Sequence, residues 1–234
     1  MTAAPQARPG TTTSISNHAG ANEAGLRQGF GPRVRKLHAR IGKAHHQAEG
    51  MAFSRSLLAG EATPLQLAAL LRSLAPAYSF LEQTVPNLGR SLGADALPWS
   101  QLRRTEALQH DLEQLADLPA TPHSEAAQDW LKRLRLLARQ HPHRLFAHAY
   151  VRYGGDLSGG QQLAAQAQAI LTRSGLPPLS FWSFAKPVEE LKRALHQGFE
   201  QLELLDKEEQ ELLDEAEFAF RLTQRLLAEL ERIA

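Results

Sequence analysis

No cysteine occurs anywhere in the chain, which excludes disulfides, thiolate metal ligation, iron–sulfur clusters and cysteine nucleophiles, and leaves the redox compartment open. Excess charge of either sign is also missing. Lys and Arg total 26 against 25 Asp and Glu, so nothing in the overall balance favours nucleic acid or an anionic membrane as partner. No apolar run approaches the roughly 18 residues of a membrane span. No basic start followed by an apolar core marks a signal peptide. Strand-type alternation is absent over any useful length, and the chain reads all-α. At 234 residues it suits one domain, large enough to bury roughly 70% of its unfolded surface. Residues 1–31, with Thr11-Thr12-Thr13-Ser14 and scattered Gly, Pro and Asn, read as a disordered N-terminal tail. The helical domain is expected to span 32–234.

Glycine is abundant in one place. Tyr150-Val151-Arg152-Tyr153-Gly154-Gly155-Asp156-Leu157-Ser158-Gly159-Gly160-Gln161 separates two stretches of helical periodicity. Its four glycines cost on the order of 4 kcal/mol relative to alanine in a helix interior. Spacing alone leaves several readings open. The glycines could break two helices, with Asp156 or Ser158 capping the second, or the Gly155/Gly159 pair could let helices touch. A phosphate loop is a poor fit, because no Walker lysine follows and no strand precedes.

Helical stripes fill the rest. Val34, Leu37, Ile41, Ala44 and Ala48 define one apolar face. His45 falls on that stripe by spacing, whereas His46 turns about 100° further round. A lone histidine there is ordinarily a hydrogen-bonded core residue. Segments 53–60 and 64–84 follow, the second with Leu67, Leu70, Leu71, Leu74, Tyr78 and Leu81 buried and Pro76 bending it or ending it early. Segments 99–116 and 124–139 are amphipathic. The last helix carries Leu212, Ala216, Ala219, Thr223, Leu226, Leu230 and Ile233 in a near-heptad stripe; a dimeric coiled coil is one reading, and the breadth of the stripe favours one helix closing a globular bundle. Arg33, Arg35, Lys36, Arg40 and Lys43 cluster at one end of the chain, and Glu200 to Glu217 is strongly acidic.

Two motifs carry a family resemblance. Ala147-His148-Ala149-Tyr150-Val151-Arg152-Tyr153 with Gly155-Asp156-Leu157-Ser158-Gly159-Gly160-Gln161 resembles the distal-helix signature of the heme oxygenases, and His45-His46-Gln47-Ala48-Glu49 resembles their proximal-helix pattern. The resemblance covers about residues 33–232. It implies a single-domain multi-helix bundle with heme between a proximal and a kinked distal helix, and oxidative cleavage of heme to biliverdin, Fe2+ and CO. By the same resemblance, His45 is the axial iron ligand and Glu49 the acidic position one turn later. Gly155 and Gly159 lie against heme, and Asp156 anchors water near iron-bound oxygen, with no basic side chain implied that would pull apart the O–O bond. Tyr150 and Lys192 match contacts to the heme propionates. His196 and His38 stand where the family carries permanent cations, so heme affinity is expected to fall between roughly pH 6 and 8, near the unperturbed histidine pKa. Gly154 departs from a larger apolar residue and leaves the site of ring attack open. The implied electron donor is a ferredoxin, a flavodoxin or a reductase, which the basic cluster would steer. A monomeric, cytoplasmic protein without a membrane anchor is expected. The alternative is a heme-binding or heme-transfer protein of the same fold without turnover.

Overall fold

The computed structural model describes residues 30–233, so the expected tail lies outside the described residues up to position 29. Among the described residues there is no strand, and the all-α expectation holds. Helix α1 (Pro32–Glu49) starts on a proline, whose missing N–H is no loss at a first helical position. Its buried face is Val34, Leu37, Ile41, Ala44 and Ala48, the stripe read from the sequence. Helix α2 (Ala52–Leu58) buries Phe53 and Leu57.

Helix α3 (Pro64–Leu92) contains both Pro76 and Pro86. Of the two expectations at Pro76, a bend or an early end, the early end does not occur, since the helix runs on to Leu92. An interior proline costs about 3 kcal/mol, but Ala77, Tyr78, Leu81 and Val85 beyond it are all buried, and burial of several such side chains at about 1.5–3 kcal/mol each outweighs that cost. The start is as local chemistry dictates. Thr63 Oγ1 accepts from the Gln66 N–H at 3.1 Å while Gln66 Oε1 accepts from the Thr63 N–H at 2.9 Å, a reciprocal cap.

The single helix expected over 99–116 is two, α4 (Trp99–Leu102) and α5 (Thr105–Gln114). Arg104 breaks it by turning inward: its N–H donates to Glu82 Oε1 at 2.5 Å and its guanidinium to the Phe181 and Ser183 carbonyls. Helix α6 (Glu125–Gln140) is capped by Ser124, whose hydroxyl accepts from the Ala127 N–H at 2.9 Å. Then come α7 (Leu145–Asp156), α8 (Gly159–Arg173), α9 (Val188–Glu200) and α10 (Asp206–Leu230). Helix α10 packs along α1, α7 and α6 and closes the bundle. Its Leu212, Ala216, Ala219, Leu226 and Leu230 are buried.

Candidate functional site

Helix α7 stops at Asp156, Leu157 and Ser158 lie outside any helix, and α8 resumes on Gly159. This break forms one wall of a cleft, and α1 with α10 forms another. His45, Glu49, Arg152, Gly155, Asp156 and Gly159 all line it. The four glycines divide by role. A Cβ built on Gly154, Gly155 or Gly159 meets open space, while one on Gly160 would lie 3.0 Å from Trp182 Cδ1. Gly160 thus lets the tryptophan in, and Gly155 and Gly159 leave bare main chain toward the cleft. Gln161 secures the break: its Nε2 donates to the Asp156 carbonyl at 3.0 Å and to the Trp182 carbonyl at 3.2 Å.

His45 is not the core residue its stripe suggested. Its side chain is 48% exposed against 91% for His46, so it sits at the stripe's edge, turned to the cleft. Its ring meets Phe220 edge-on at 5.6 Å, and Nδ1 lies 3.5 Å from Glu49 Oε1. Opposite, Asp156 is buried within a polar network the sequence did not disclose. Tyr78 donates its hydroxyl proton to Asp156 Oδ2, Arg152 Nε donates to the Tyr78 oxygen at 3.2 Å, and Arg152 Nη2 lies 3.8 Å from Asp156 Oδ1. Burial raises the Asp156 pKa above the usual carboxylate value, opposed by Arg152, Tyr78 and Arg104. Burial also raises Tyr78 well above its ordinary value, which keeps it a donor. Arg152 thus stands beside Asp156 as part of its network. That arginine stands in the distal motif, four residues before Asp156, and helical spacing was the signal for it.

The other predicted residues form a second group. The His38, Tyr150 and His196 rings lie 6.1–6.3 Å apart, with Lys192 one turn from His196 on α9. His38 and Tyr150 precede His45 and Asp156 by seven and six residues, so this group lies roughly 10 Å along the helices from the cleft groups. Burial, with His38 and Lys192 alongside, lowers His196 to about 4. It is neutral throughout pH 6–8, and the loss of cationic charge expected in that window does not come from His196.

Arg33 Nε and Lys36 Nζ reach Glu209 at 3.0 and 2.5 Å, and Arg40 pairs with Asp214 and, at 3.2 Å, with Glu217. These three cations pair α1 with the acidic run of α10.

Leu57, Leu74, Phe220 and Leu226 add apolar surface to the cleft. Apolar walls, a half-exposed imidazole and main chain without Cβ opposite it fit a flat, iron-holding macrocycle. Together with the helical fold they define a class, the all-α enzymes that act on heme. The heme oxygenase family model matches residues 34–229, and the chain belongs to that family. It is 30% identical over 196 residues to a heme oxygenase of Guillardia theta, covering 81% of this chain and 82% of that one. Among solved structures, heme oxygenase from Leptospira interrogans matches with a TM-score of 0.73 and 30% identity, over 82% of this chain and 97% of the other. Heme oxygenase-1 from the cyanobacterium Synechocystis, in complex with heme, matches with a TM-score of 0.76 and 26% identity, over 85% and 92% of the two chains.

Proposed function

We propose that this chain cleaves heme to biliverdin, iron and carbon monoxide, with heme held between His45 on α1 and the Gly155/Gly159 main chain of the α7–α8 break. The observation that carries the reading is the meeting of His45, Gly155, Asp156 and Gly159 on one cleft from positions more than 100 residues apart. Bound heme supplies the iron that activates dioxygen and the ring that is oxidised. The chain's own residues do the rest. His45 offers an imidazole nitrogen to one face, and Glu49 stands by its Nδ1. Gly155 and Gly159, with open space at their Cβ positions, leave room for a ligand on the other face. Asp156, held by Tyr78 and Arg152, orients water and passes a proton toward that ligand. Electrons come from a ferredoxin, a flavodoxin or a reductase. Tyr150, Lys192, His38 and His196 face the heme carboxylates. No helix among the described residues is long and apolar enough to cross a membrane, and the proposed setting is the cytoplasm.

A heme carrier without turnover is favoured by one feature, the neutral His196 where a permanent cation would grip a carboxylate. Hemin titration followed by reductant in air separates the two. A Soret band that decays into biliverdin absorption supports the oxygenase, a stable band supports the carrier, and absence of a specific band overturns both. His45→Ala should abolish the histidine-ligated spectrum and turnover. Retention of both in that variant removes His45 from its role.

A further inference from the structure

Helix α1 begins without a side-chain cap of its own. The orphan N–H groups of its first turn are met instead from 166 or more residues away: Glu200 Oε2 accepts from Arg33 N at 3.2 Å and Oε1 from Val34 N at 2.7 Å. The gift is returned at the other helix. Arg33 Nη1 donates to the Phe199, Glu200 and Leu202 carbonyls at 2.7, 3.3 and 2.8 Å, which are the end carbonyls of α9 and its exit turn. Each helix thus supplies the cap that the other lacks, and the charge signs suit both ends: a carboxylate at an N-terminus and a guanidinium at a C-terminus. Gly31 makes room for this. A Cβ there would lie 2.2 Å from Glu200 Cδ, so any larger residue would push the carboxylate off the helix end.

This junction has a fixed relation to the second residue group. Val34 meets Glu200, and one turn further along α1 His38 lies 6.1 Å, centroid to centroid, from His196, one turn back along α9. The two helices run past each other in opposite directions with matched steps. A slip at the cap would carry His38 away from His196 by up to a turn, about 5.4 Å. Tyr150 senses the same carboxylate, since Glu200 adds to the burial that raises its pKa.

We infer that Arg33 and Glu200 are positioning residues for the carboxylate end of the heme cleft: their reciprocal caps set the register of α1 against α9 and so assemble His38, Tyr150 and His196 before heme arrives. The inference rests on the reading that this group receives the heme carboxylates. A cap of this kind contributes enough to shift an equilibrium by roughly tenfold.

Two measurements test it. In the heme-free protein, proton NMR should show cross-relaxation between the His38 and His196 rings, lost in Glu200→Ala and kept in Glu200→Gln, whose amide oxygen still accepts. In the second, hemin transfer to apomyoglobin should be about tenfold faster from Glu200→Ala than from the native chain, with the histidine-ligated ferric spectrum unchanged. If Glu200 acts through His196, the His196→Ala/Glu200→Ala double variant releases hemin no faster than the faster single variant. A purely structural role would instead make the two effects multiply. Should Glu200→Ala not fold, Arg33→Gln, which removes the α9 cap together with the Arg33–Glu209 pair, is expected to lose the same cross-peak, and Glu209→Gln, which breaks that pair and leaves the cap, to keep it. A retained cross-peak, or unchanged hemin release despite a lost one, would overturn the inference. Failure of the native chain to bind hemin would overturn the functional reading instead, and the heme-free NMR result would still stand by itself.

Discussion

Asp156 shows how much a single carboxylate depends on what holds it. Fully buried and flanked by Arg152 and the Tyr78 hydroxyl, it has one orientation available, and general acid–base work of this type contributes on the order of a hundredfold or more. Asp156→Ala should therefore lower biliverdin formed per heme by about that factor while hemin binding persists. Tyr78→Phe, which removes a donor and leaves the carboxylate, should fall between the two. Unchanged yield in Asp156→Ala would take the residue out of the reaction. His196 is the other residue whose behaviour its surroundings decide. Burial lowers it from 6.5 to about 4, so NMR titration of the heme-free protein should find its midpoint near the lower value. A midpoint of 6.5 would restore the pH-dependent anchoring that its identity suggested.

Among the helices, glycine has opposite meanings according to what stands nearby. Gly198 of α9 faces Leu97, whose Cδ2 and Cα would lie 2.6 and 3.1 Å from an added Cβ. The gain of about 1 kcal/mol in helix propensity is then outweighed by overpacking against a backbone atom, and Gly198→Ala should destabilise by about 1–3 kcal/mol. Gly42 lies inside α1 with no atom within 4 Å of its Cβ position. Gly42→Ala should stabilise by up to about 1 kcal/mol. Chemical denaturation midpoints of the two variants must move in opposite directions, or the close packing of α9 on Leu97 is misjudged. Periodicity revealed α1, α6 and α10 with their buried faces, because each carries a continuous stripe. It failed at α3 and at the α4–α5 break, where Pro76 is overruled by its buried neighbours and Arg104 by a carboxylate 22 residues away.

For the molecule as a whole, a buried polar chain ties α6, α7 and α10 together behind Trp130 of the cleft. Trp130 Nε1 donates to His148 Nδ1 at 3.1 Å, and His148 Nε2 lies 3.0 Å from Glu215 Oε1. Arg133 also donates to Glu215, at 3.0 and 2.5 Å. Burial lowers the His148 pKa below 6.5. The unfolded chain therefore binds a proton that the fold refuses, and stability falls as pH drops below 6.5. At Glu215 burial acts to raise the pKa, but the bonds from His148 and Arg133 prevail and hold it at about 2. Its contribution is complete above 4.5 and is lost as pH falls toward 2. Thermal unfolding should accordingly show Tm declining on acidification from pH 6.5, with a further decline below 4.5. In His148→Gln the upper limb should be shallower. An unaltered limb would assign the effect to other histidines.

Local order along the chain determined the class of protein: the helical stripes, the histidine one turn before Glu49, and the glycines around Asp156 are each read from a short local stretch of sequence. Tertiary structure alone decided which charges are available and which are already matched. Arg33, Lys36 and Arg40 find their carboxylates more than 170 residues away, and Arg152, Tyr78 and Asp156 meet from two helices. The reason is that a side chain's protonation and reach depend on its neighbours in space and on its exclusion from water, and neither quantity has a period along the sequence.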